Sequence, residues 1–204
     1  MRRKASLYAL AARMKWYIGI AFALFLSGVL AGALEGVRVH ALIAPLVGQL
    51  RHEALLLRHA QIWRVALDLF VNNVKVSLLM IFGGLLFGVA PVLVVIGNGV
   101  LVGYVIDLAA SRTHLSPLVV TAFGILPHGL FEIPAYLLAT AFGMRLGVLV
   151  MRSLAGRGNS AAWRSAGRDI APTVAWVVGL LFVAAWIESG VTPVVLHAAV
   201  IHHF

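Results

Sequence analysis

Residues 74–110 read VKVSLLMIFGGLLFGVAPVLVVIGNGVLVGYVIDLAA, with Lys75 and Asp107 as the only charged residues. As a single helix this run extends about 55 Å at about 1.5 Å per residue. The hydrocarbon core of a bilayer is about 30 Å thick, so the run crosses it twice. Two places suit the turn between the crossings. A turn at Gly97-Asn98-Gly99 spares Asn98 from the bilayer but leaves a second crossing of only about 12 apolar residues, well short of the roughly 20 that span. A turn near Gly88–Pro91 balances the crossings and places Asn98 deep in the membrane. Length favours the second turn and polarity the first. Either way, a broken or half-length helix is expected around Asn98, with Asn98 as its N-cap or in a tight turn.

The rest of the chain fits this reading. Of 204 residues, 62% are hydrophobic and 11% are charged. A soluble domain carries about 25% charged residues, so this chain has too little polar surface to cover itself in water. It reads as all-α, a polytopic membrane helix bundle forming one domain over 1–204. About five spans are expected, with broken or re-entrant helices and an outer amphipathic segment. The net charge of +9 does not point to nucleic acid, because the basic residues sit beside apolar runs, where they orient a membrane protein. With no cysteine, disulfides, thiolate metal sites and cysteine nucleophiles are excluded.

Span one covers 16–34, preceded by a basic N-terminus (1–15) containing Arg2, Arg3, Lys4, Arg13 and Lys15. Ala31-Gly32-Ala33 resembles a signal-peptidase site, but the apolar run is long enough to span, so an uncleaved helix is expected. Segment 35–69 mixes Arg38, Arg51, Arg58 and Arg64 with leucines and Trp63. It suits an amphipathic helix on the membrane surface or packed over the bundle's mouth, with Pro45 and Gly48 near its start. Leu118–Leu126 is too short to cross, and Pro127, Gly129 and Pro134 follow within eight residues. That predicts a re-entrant or sharply broken helix at 117–134 and a crossing from 134 to 150. A basic loop at 151–170, a last span at 172–187 and a short apolar tail at 191–201 complete the chain. The basic N-terminus and basic loop predict a multi-pass protein of the cell (plasma) membrane, with a cytoplasmic N-terminus and an outer C-terminus.

Glycines recur at four-residue spacing in Gly28/Gly32, Gly84/Gly88, Gly99/Gly103 and Gly143/Gly147, a pattern that lets apolar helices approach closely. Packing within one chain is the expectation; packing between copies of a homo-oligomer is the other reading.

Asn98, Asp107, His128 and Glu132 lie inside apolar runs, and Asn72, Asn73 and Glu188 lie near their ends. A charge at the bilayer centre costs about 2.5–3.5 kcal/mol on insertion scales, so such residues persist when paired or facing a cavity. His128 and Glu132 share a helix face as a hydrogen-bonded pair. They are expected to satisfy backbone groups freed by Pro127 and Pro134, to serve as an ion, proton or substrate site, or to dock a partner. Asp107 is expected to pair with Arg112, and Asn72-Asn73 to start a helix. There is no HExxH, GxSxG or Walker-type loop. Two ligands, His128 and Glu132, are too few for zinc without a distant third, so no metal, cofactor or catalytic residue is assigned.

Several passages together resemble the stage II sporulation protein M family. They are Phe70-Val71-Asn72-Asn73-Val74-Lys75 followed by Gly83–Gly88; Asn98-Gly99 with Gly103; Leu126–Ala135, which contains Pro127, His128, Gly129, Glu132 and Pro134, ending in Gly143 and Gly147; and Glu188-Ser189 with Thr192-Pro193. The resemblance spans roughly 16–195. It implies a polytopic membrane protein without enzymatic activity. In spore formers, the family member helps place a peptidoglycan amidase and a lytic transglycosylase at the septum. A scaffold that recruits cell-wall hydrolases is therefore one reading, with membrane lipids and those enzymes as partners. A small transporter or channel built on the polar breaks is the other.

Overall fold

A computed structural model describes residues 7–34 and 61–195, so most of the amphipathic segment expected at 35–69 lies outside the described residues. Every described element is helical: α1 (Leu7–Leu34), α2 (Ile62–Gly83), α3 (Val89–Thr113), α4 (Pro117–Val120), a π-helical turn (Thr121–Ile125), α5 (Leu126–Leu154), α6 (Ser160–Trp186) and a second π-helical turn (Ile187–Val191). Five rods are long and apolar enough to span: Leu7–Leu34, Ile62–Gly83, Val89–Thr113, Pro117–Leu154 and Ser160–Val195. Four precede the α5–α6 connection, the number expected from the charge pattern.

The turn in the opening stretch falls at 84–88. There Phe87 (φ 57°) and Gly88 (φ 76°) adopt the left-handed conformation, and Gly88 does so without a Cβ penalty. Length therefore prevails over the polarity of Asn98. The broken helix expected around Asn98 is absent: Asn98 lies mid-way along an unbroken α3, neither cap nor turn. Its flanking glycines do not break the helix because Gly99 packs against α1.

The re-entrant break expected at 117–134 is also absent. The chain stays helical from Pro117 to Leu154. Ser116 caps α4 by accepting from Val119 N at 3.3 Å. At the π-helical turn, Leu126 N bonds back to Thr121 O. This widened turn delivers Pro127 into the first turn of α5, where its missing N–H costs little. Two further boundaries move. α2 begins at Ile62, so Asn72-Asn73 is helix interior rather than a start. The basic 151–170 stretch is a loop only over 155–159, since Asn159 Oδ1 caps α6 by accepting from Ala161 N at 2.9 Å and Ala162 N at 3.2 Å.

The glycine pairs meet within the chain. A Cβ on Gly28 would fall on Ile96 O, one on Gly32 on Val100 O, one on Gly99 on Phe25 O and one on Gly103 on Val29 O. These contacts advance together along both helices, so α1 and α3 run parallel, backbone against backbone. In the same way, a Cβ on Gly84 or Gly143 would strike Gly143 O or Met80 O, and one on Gly147 would strike Gly88 N. Gly84/Gly88 is therefore not a helical pair but the α2–α3 turn, laid against α5. Between these crossings lies a core built on Leu10, Met14, Met80, Ile81, Phe142 and Leu181, each fully buried.

Candidate functional site

α2, α5 and α6 pack against one another, and polar groups gather where the three meet. His128 and Glu132, one turn apart on α5, share a face as expected, but His128 Nε2 and Glu132 Oε2 are 3.9 Å apart, beyond a hydrogen bond. Each is instead held from another helix. Asn73 Nδ2, from the interior of α2, donates to Glu132 Oε1 at 3.1 Å. His128 Nδ1 lies 3.2 Å from Thr192 Oγ1, just past the second π-helical turn. The Tyr136 hydroxyl, a further turn along α5, also interacts with Glu132. The second π-helical turn carries Glu188, and donor atoms of His128, Glu132 and Glu188 all lie within 4.8 Å of one another. Glu188 has no hydrogen bond or cationic partner among the described residues.

This cluster holds an imidazole, two carboxylates, an amide and two hydroxyls. Hydroxyl, imidazole and carboxylate follow one another as in a nucleophile triad, but the 3.9 Å gap leaves His128 without the hydrogen-bonded carboxylate that would orient it as a base. What the cluster offers is a set of acceptor atoms for a positive charge.

A second polar node lies at the other end of the bundle. Asp169, 6% exposed, accepts from Arg13 Nη2 through Oδ1 at 2.8 Å and from Arg145 Nη1 through Oδ2 at 2.8 Å. Arg145 Nη2 also donates to Ser165 Oγ at 3.0 Å. The node ties α1, α5 and α6 together by charge-assisted bonds.

Of the residues singled out in the sequence, His128, Glu132, Asn73 and Glu188 converge. Asn98 and Asp107 do not; both lie on α3, apart from the cluster. No Asp107–Arg112 pair forms among the described residues, and Asn98 Nδ2 is buried without a hydrogen-bond partner there. Asn72 is exposed, as are Pro134 and Pro193. Sequence reasoning missed the Asp169 node and the closure of Glu188 and Thr192 onto His128. The available signal was two carboxylates and a histidine in otherwise apolar spans; their pairing across about 60 positions was not readable.

The profile described as Stage II sporulation protein M matches residues 21–193. An uncharacterized protein of Methanocaldococcus jannaschii is 32% identical over 126 residues, covering 62% of this chain and 70% of that protein. No solved structure matches.

Proposed function

The chain belongs to the stage II sporulation protein M family, and from that premise we propose that it works without chemistry of its own, as a membrane scaffold holding cell-wall hydrolases at the membrane. The observation that carries this reading is how the bundle is tied. Glycine contacts lock α1 to α3 and the α2–α3 turn to α5, and Asp169 bridges α1, α5 and α6. All five spans belong to one body, which suits a platform better than two halves that rock against each other. The N-terminus and the α5–α6 connection are cytoplasmic, following their basic residues. The segment between α1 and α2 and the C-terminal tail are then the outer docking surfaces. A photocrosslinker at Arg51 or Arg58 should capture a peptidoglycan amidase or transglycosylase in a sporulating host. Capture of lipid alone, with normal engulfment after deletion, rejects the scaffold.

The His128–Glu132–Glu188 cluster favours a second reading, a small transporter or channel, because ionisable residues inside a membrane commonly mark ion pathways. Proteoliposomes would show proton or solute flux that Glu132→Gln reduces. Vesicles as tight as empty ones reject it.

A further inference from the structure

We propose that His128 Nε2 and the carboxylates of Glu132 and Glu188 form a binding site for one divalent transition-metal ion of the zinc class. Charge is the first argument. Two carboxylates face each other within 4.8 Å in an apolar bundle. Among the described residues, the nearest ion-pairing arginine on α5 is Arg145, about 20 Å further along the helix. A divalent ion bound by two carboxylates and a neutral imidazole gives a complex of zero net charge, the state a low-dielectric interior tolerates.

Donor chemistry is the second argument. One imidazole nitrogen with two carboxylate oxygens is a three-ligand set that leaves a fourth position for water, an arrangement zinc accepts. The imidazole disfavours calcium and magnesium, which take oxygen ligands.

Orientation is the third. With its proton on Nδ1, His128 donates to Thr192 Oγ1 at 3.2 Å, leaving the Nε2 lone pair free on the side of Glu132 Oε2. Asn73 Nδ2 fixes Glu132 through Oε1 and leaves Oε2 toward His128. Metal sites hold their ligands with such outer partners. The ligands come from α5 and from the turn beyond α6, so a bound ion fastens the far end of α6 onto α5.

The test titrates Zn²⁺ into the full chain in lipid nanodiscs by calorimetry, beside Glu188→Gln, His128→Gln and Thr192→Val. The chain has 8 histidines, so the readout is the difference between wild type and variant, in which binding at the other seven cancels. Wild type should take up one equivalent more than Glu188→Gln or His128→Gln, whose affinity at this site falls at least about 100-fold. Thr192→Val should weaken binding about 10–100-fold, as loss of an outer partner does. Co²⁺ should give a visible absorption band from tetrahedral coordination that Glu188→Gln abolishes. Equal zinc uptake by wild type and by a monodisperse, helical Glu188→Gln overturns the site, as does a cluster that takes Ca²⁺ in preference to Zn²⁺.

Discussion

Two polar nodes lie about 20 Å apart along α5, and they are built on opposite principles. At one end, Asp169 sits between Arg13 and Arg145 at 2.8 Å each, so every buried charge has a permanent partner of opposite sign. At the other end, Glu132 and Glu188 share a site with His128, and their polar neighbours are uncharged amide and hydroxyl groups. The first node is complete as a staple between helices. The second crowds like charge together, an arrangement that favours a site over a support. Buried polarity in a membrane bundle thus has two uses, distinguished by whether the side chains neutralise one another.

The sharpest way to break this contrast is Asp169→Asn. It strands Arg145, whose side chain is 14% exposed, and should cost about 3–5 kcal/mol, the range for removing one partner of a buried ion pair. Denaturant or thermal unfolding in nanodiscs reads it, and an unchanged transition means that the node is no staple. Gly143→Ala comes next. It lies on α5 between the nodes, and its Cβ would strike Met80 O, so α2 must move away from α5. A loss of about 1–3 kcal/mol is expected, as for overpacking elsewhere. The same unfolding assay should then show both nodes loosened, with hydrogen exchange rising near Glu132 as well as Arg145.

Glu132→Gln tests the opposite sign. In metal-free buffer it removes one of two crowded carboxylates, keeps the shape and leaves Asn73 an acceptor. Stability should hold or rise by up to about 1 kcal/mol, since two carboxylates sharing one site disfavour each other and the amide removes one of them. A loss as large as that of Asp169→Asn erases the distinction between the nodes. The smallest effect should come from Arg13→Gln. The Arg13 side chain is 42% exposed and its pair is partly screened, so about 0–1 kcal/mol is expected.

Much of the architecture was legible in the residues. Span number followed from length and composition, because an apolar rod must be long enough to cross and the 74–110 run is too long to cross once. The four glycine pairs announced close packing for a similarly local reason: only a missing Cβ lets two backbones approach. Local rules failed at Asn98, Pro127 and Asn72-Asn73, where each polar or breaking residue was expected to mark a helix boundary. In an apolar setting an interrupted helix would leave backbone groups unbonded, a larger cost than burying one amide. α3 therefore runs on through Asn98, and a single widened turn at Thr121–Ile125 absorbs Pro127.

The candidate site was half legible. His128 and Glu132 share a face by helical spacing alone, whereas Glu188 and Thr192 arrive from about 60 positions away. The sequence alone determined an all-α bundle of about five spans and which residues are too polar for their surroundings, because these follow from the cost of exposing backbone or charge to lipid. Only the tertiary structure decided which polar residues meet. That depends on how neighbouring helices turn about their axes and slide past one another, set here by the glycine crossings and not by the order of residues in any one helix.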